Sequence, residues 1–241
     1  MKHILIVGLL VFVAFACKKK TENPPDVGYA YAPVFIGKYV VYDADSTVYD
    51  DFHHDTTYFK YRIKEKLEEP YVDNEGRSVI KLIRYIKKYN PNISYDNMPW
   101  IIKDVWNYTK TNTTLEVVEE DQRFTKLIFP VKVDATWNGN AQNTIGDWEY
   151  LYKYMDTKEV INGTTFDNVL MVEQKDDKSK NAIHRQYFIE KYAKDVGLVY
   201  REIKDLYSNT IKVVNGSVMP VEQRIEKGVI YKLTYVSHGF E

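Results

Sequence analysis

Between residues 57 and 65 the chain alternates with a period of two. Phe59, Tyr61 and Ile63 fall on one parity, and Lys60, Arg62 and Lys64 on the other. Successive side chains of a strand point to opposite faces, so this pattern buries one face and wets the other; it does not supply the apolar stripe of a helix. It predicts a half-buried antiparallel strand. Runs of similar character recur at residues 37–43, 78–87, 101–110, 114–119, 124–129, 148–154, 166–174, 198–206 and 228–236. They are rich in the aromatic and β-branched residues that suit a pleated surface. The 21 tyrosines in 241 residues strengthen that reading.

Turn chemistry separates the runs. Asp73, Asn74, Glu75 and Gly76 are turn formers and make residues 57–87 a hairpin. Thr111, Asn112 and Thr113 divide two further strands, and Pro130, which cannot donate to a ladder, stops the run at 124–129. Residues 161–164 and the pair Asn215-Gly216 read as turns. Residues 43–55 read as acidic and loop-like toward their end. Residues 182–194 fit two patterns: Ile183, Tyr187, Phe188 and Tyr192 approach helical spacing, while 186–190 form a β run. We read this region as strand, turn at Gly197, and strand. About a dozen short strands with no fixed-period repeat define an all-β chain. The expected fold is a curved antiparallel sheet, an open half-barrel or sandwich-like, with at most minor helix.

The first residues differ in kind. Lys2 precedes an apolar run over residues 4–16, which ends at Cys17 and is followed by Lys18, Lys19 and Lys20. A basic start, a short apolar stretch and a small-residue site are the features of a secretory signal. The run is shorter than the roughly 20 apolar residues a spanning helix needs. Cys17 is the sole cysteine, so no internal disulfide can form. In Ala14, Phe15, Ala16 and Cys17 the chain resembles bacterial lipoproteins. The resemblance implies cleavage before Cys17, acylation of that cysteine, and attachment to the cell envelope, at the periplasmic face of the outer membrane. Residues 1–16 are then a signal peptide, residues 17–34 an acylated cysteine and a polar tether containing Pro24 and Pro25, and residues 35–241 one antiparallel β domain. Acyl chains bind a bilayer with about 0.8 kcal/mol per buried methylene, and each lysine near anionic headgroups adds about 1 kcal/mol. Tyr192, Ala193, Lys194, Asp195, Val196, Gly197, Leu198, Val199 and Tyr200 are similar to a strand-turn-strand piece of β-rich periplasmic lipoproteins with half-barrel sheets. That resemblance implies a curved sheet with an apolar concave face.

The formal net charge of −1 predicts no nucleic-acid partner. The charges are interspersed and read as solvated strand faces, and a monomer is expected. Asn-x-Ser/Thr triplets begin at Asn92, Asn107, Asn112, Asn162 and Asn215; in a bacterial protein they read as loop chemistry.

Two clusters of candidate residues stand out. Asp43, Asp45, Asp50, Asp51, His53, His54 and Asp55 are the types that bind Zn²⁺ or Ca²⁺. Their order matches neither an EF-hand loop nor His-Glu-x-x-His, and adjacent histidines in an extended chain point apart. A solvated acidic hairpin loop is expected there, with no metal, and no cofactor is expected elsewhere. The second cluster is aromatic: Trp100, Trp106, Trp137, Trp148, Tyr150, Tyr152 and Tyr154 either line a groove for a sugar ring or lipid or fill one sheet face as core. Trp137, Trp148, Tyr150 and Tyr152 are the candidate ligand-binding residues, with Trp137 foremost because Asn138, Gly139 and Asn140 place it at a loop. No catalytic residue is assigned: Gly-x-Ser-x-Gly and phosphate-cradling loops are absent, and His184 and His238 stand alone. The expected role is a non-catalytic binding or assembly protein of the envelope that holds a partner protein, a lipid or a glycan. The alternatives are a lipid carrier and a hydrolase whose carboxylates meet only in the fold.

Overall fold

The computed structural model describes residues 26–177 and 182–241. The expected signal peptide, Cys17, the three lysines after it, the tether up to residue 25, and residues 178–181 of the charged loop lie outside them. In chain order the strands are β1 (Lys38–Asp50), β2 (Asp55–Val72), β3 (Ser78–Lys88), β4 (Ile101–Lys110), β5 (Thr114–Glu119), β6 (Gln122–Ile128), β7 (Thr136–Asn138), β8 (Glu149–Ile161), β9 (Thr164–Asp176), β10 (His184–Ala193), β11 (Gly197–Tyr207), β12 (Val213–Val214), β13 (Ser217–Val218) and β14 (Lys227–Phe240). β12 and β13 pair alone, about Asn215 and Gly216, both with positive φ.

The other twelve strands form one antiparallel sheet in the order β6-β5-β4-β3-β2-β1-β14-β11-β10-β9-β8-β7. Two meanders, β1 to β6 and β7 to β11, are joined where the last strand, β14, lies between β1 and β11. The sheet curls into a nearly closed barrel. The ring is therefore closed by a full ladder at its termini, Lys38–Phe240 through Tyr49–Gly228, and is cut in the middle of the chain, between β6 and β7.

Strand pairing extends further than the sequence patterns. Residues 43–50, expected to trend into loop, continue β1, because β2 on one side and β14 on the other take up the backbone groups of both edges. The turn is confined to residues 51–54. The ambiguous stretch 182–194 is strand β10. Trp137, expected in a loop, sits in the three-residue strand β7.

Residues 27–34, expected to be part of the tether, are packed. They form a strap across the barrel end where β1 starts and β14 ends. Tyr31 and Ala32 have no exposed surface. The strap lacks a ladder, so neighbouring loops satisfy its carbonyls. Val131 N–H donates to Val27 O at 3.0 Å, Asp195 N–H to Ala30 O at 2.8 Å, and Lys110 Nζ to Ala32 O at 2.7 Å. The Tyr31 hydroxyl donates to Asp156 at 2.9 Å. Among the described residues, the packed body thus includes 27–34.

Eight strands already enclose an interior that side chains fill. Twelve enclose more, and long side chains occupy the difference. Tyr42, Tyr150 and Tyr152 are fully buried around apolar clusters that include Ile63, Leu115, Leu127, Leu170, Val199 and Leu233.

Candidate functional site

The strands bring a group of charges into the barrel. Glu65, Arg84 and Asp104 are register partners on β2, β3 and β4. Arg84 Nε donates to Glu65 at 3.0 Å, and its Nη1 to Asp104 at 3.0 Å. The guanidinium lies 3.8 Å from the centre of the Trp106 ring.

A second group spans the lumen. Arg201 on β11 contacts Glu119 on β5 at 2.8 Å and Glu190 on β10 at 2.7 Å. Lys126 on β6 reaches the same two carboxylates at 3.0 and 3.1 Å. β5 and β11 stand six places apart in the sheet order of twelve, so these contacts tie opposite walls. Lys126 is aimed inward by a bulge: the register passes from Leu115–Leu127 to Glu116–Thr125 and leaves it unopposed. Two anions and two cations cancel, which is how buried charges persist in a low-dielectric interior.

Burial would raise the Glu119 carboxyl, but Arg201 and Lys126 outweigh it and hold the group down at about 2. Glu190 is lowered by the same two cations against the same burial. Burial pushes the phenols of Tyr42, Tyr108, Tyr150 and Tyr192 upward. The shifts move these carboxyls and phenols away from neutrality, the reverse of what a general acid or base needs.

Between the two groups lies a cavity of about 70 Å³, lined by Glu65, Trp106, Tyr108, Glu119 and Arg201 and, on the strap, by Pro33. It has room for a few water-sized molecules. Among the described buried groups, Trp106 Nε1 and Arg201 Nε at this cavity lack a hydrogen-bond partner, as do Gln174 Nε2 and Thr109 Oγ1.

Three of the predicted aromatic residues, Trp137, Tyr150 and Tyr152, gather at the β6–β7 cut, while Trp106 lies on Arg84 and Trp100 beside Lys87. The Tyr152 hydroxyl accepts from Ile128 N–H and donates to Ile128 O, each at 2.8 Å. Trp137 packs on Tyr150 and Tyr152, with ring centres 5.7 and 4.5 Å apart, and its Nε1 donates to Thr125 O at 2.8 Å. Thr125 N–H donates to Gly139 O at 2.9 Å. A Cβ on Gly139 would stand 2.2 Å from the Tyr150 ring, so only glycine lets the chain lie over it. Trp148 packs separately, edge-on to Phe188 at 4.9 Å. Trp137, Tyr150 and Tyr152 thus hold the seam of the barrel, and Tyr150 and Tyr152 present almost no surface to solvent.

The acidic cluster lies on the β1–β2 hairpin. Asp50 accepts from the backbone of Phe52 and His53 and pairs with His53 Nδ1 at 2.7 Å, while Asp43 pairs with Arg62. Among the described residues, no three His, Cys, Asp or Glu side chains are grouped to hold a metal.

The reading of interspersed charges as solvated faces is corrected. Glu65, Arg84, Lys126, Glu190 and Arg201 are buried. A signal for most of them was present: each sits on the apolar parity of its strand, as in Ile63-x-Glu65-x-Leu67, Leu82-x-Arg84-x-Ile86 and Val199-x-Arg201-x-Ile203. A charge in phase with a buried face points to an internal partner.

No protein-family model matches the chain, and no curated protein matches it. Among solved structures, a DUF1329 family protein from Desulfovibrio piger aligns over 90% of this chain and 93% of its own, at 11% identity and a TM-score of 0.21. A score that low carries no argument about fold or function.

Proposed function

We propose that this chain is an acyl-anchored, non-catalytic protein of the cell envelope that works through the outside of a braced barrel. The carrying observation is the ion network of Glu119, Lys126, Glu190 and Arg201 across the lumen, which leaves about 70 Å³. Pockets that take drug-sized ligands run to roughly 300–1,000 Å³, and emptying this lumen would strand paired charges. Catalysis by the two facing carboxylates is disfavoured because both are held ionised by cations. The anchor rests on the resemblance at Ala14, Phe15, Ala16 and Cys17.

Native mass spectrometry of the protein purified from its own envelope tests the reading. The expected mass is that of the acylated chain with nothing else retained. A lipid that stays bound in the gas phase after the anchor is removed, and is lost in an Arg201→Met variant, overturns it in favour of a carrier. Labelled palmitate should enter the wild-type chain and not Cys17→Ser; equal labelling of both would remove the anchor from the proposal.

A further inference from the structure

We infer that the strapped end of the barrel rests on the bilayer, with Phe35, Ile36 and Phe240 seated in the lipid interface. The inference rests on the acyl-anchor reading of Cys17. Phe35, Ile36 and Phe240 are 60%, 47% and 65% exposed, and the rings of Phe35 and Phe240 are 6.5 Å apart. Clustered apolar side chains at a surface are costly to leave in water and mark contact sites.

These side chains are held outward by rigid backbone. Gly37 donates its N–H to Leu67 O at 2.7 Å and accepts from Glu241 N–H at 2.9 Å. Its φ is +80°, and a Cβ there would stand 2.5 Å from Glu241 O. The turn that displays Phe35 and Ile36 is therefore fixed at both strand ends and cannot fold its apolar residues inward. Phe is among the side chains that interfacial segments bury at the boundary of headgroups and acyl chains; the Lys38 ammonium behind Phe240 is buried and donates to Asp195 O.

The tether chooses the occupant. Eight residues lie between Cys17 and Asp26, a reach of at most roughly 30 Å. At Asp26 the chain is already pinned: its carboxylate accepts from Gly28 N–H at 2.8 Å and from Lys194 at 3.0 Å. The strap then crosses this same end to reach Phe35. Val72 and Val160, at the ends of β2 and β8, and Val133, in the loop after β6, are also exposed around this end. The far end exposes Phe52, Tyr58 and Ile211 as well, but no tether leads there. An anchored chain brings the strapped end to the lipid first, at an effective concentration that makes a few side chains sufficient.

The test imposes the anchor chemically. Residues 17–241 contain every contact described above, and Cys17, the sole thiol, can be coupled to maleimide-lipid vesicles of phosphatidylcholine and phosphatidylglycerol. Phe35→Trp, Phe240→Trp and Phe52→Trp each add one indole at an exposed site, and brominated lipids quench indoles that enter the bilayer. Quenching above the native background is expected at positions 35 and 240, severalfold stronger than at 52. Absence of quenching at 35 and 240, or stronger quenching at 52, overturns the inference. Because the coupling does not depend on cellular acylation, that failure leaves the palmitate test untouched, and failure of the palmitate test leaves the quenching result readable.

Discussion

Two of the side-chain joints between the barrel walls use opposite chemistry. In the lumen, Glu119 and Glu190 share Lys126 and Arg201, with contacts of 2.7 to 3.1 Å; three of the four are buried and Glu119 is largely so. At the β6–β7 seam, the hydroxyl of Tyr152 and the indole of Trp137 substitute for a missing ladder with neutral hydrogen bonds to Ile128 and Thr125. The charged joint is costly to form and more costly to break singly, because a deleted ion leaves its partner buried and unpaired. The neutral joint loses only bonds and contact area. The difference shows what each joint is for: the lumen network specifies which walls face each other, and the seam seals the remaining edge, which would otherwise be an open template for another chain.

The comparison can be broken most forcefully at Arg201. Arg201→Met leaves Glu119 and Glu190 with Lys126 as their common cation and should lower unfolding free energy by about 3–5 kcal/mol, read as a shift of the urea midpoint at pH 7. Replacing all four charged residues with apolar ones of similar volume should cost less than that single change. If Arg201→Met is neutral, the network does not brace the walls.

Acid probes the same contrast. The folded-state carboxyl of Glu119 is held at about 2 against an unperturbed 4.5, so the stabilisation it contributes is complete above about pH 4.5 and is lost as pH falls toward 2. The loss is on the order of 3 kcal/mol. Denaturant midpoints between pH 7 and pH 2.5 should fall in the wild type, and should fall less in the four-residue apolar variant. Equal falls would place the acid sensitivity elsewhere.

The smallest effect belongs to the seam. Tyr152→Phe removes a hydroxyl that serves both N–H and C=O of Ile128 and should cost about 1–3 kcal/mol. Its cost should be the same at pH 7 and pH 4, since the bonds are neutral. Amide exchange at Ile128 should rise while exchange in the β1–β14 ladder stays unchanged. A global rise in exchange would mean the seam and the terminal ladder open together.

Much of the fold was legible along the chain. Residues 101–110 and 114–119 were read to the strand ends observed, and the turns at Asn162-Gly163 and Asn215-Gly216 carry the positive φ their residues favour. Local pattern suffices there because alternation and turn chemistry act over a few residues. The strap is not legible in the sequence because Tyr31 and Ala32 are buried by parts of the chain far from them, around Asp156 and Asp195. The candidate aromatics were legible as a group: Trp137, Tyr150 and Tyr152 do meet. What they meet around is backbone of β6, a relation that no spacing within residues 137–152 encodes.

The sequence alone therefore determined that this is an antiparallel all-β chain, because period-two alternation and turn residues are properties of neighbours. Only the tertiary structure decided that the sheet curls until β5 faces β11, that the ring is cut between β6 and β7, and that charges on the apolar parity are partners. The physical reason is distance along the chain. Glu119 and Arg201 are 82 residues apart, and a charge can be judged paired or stranded only once the opposite wall is in place.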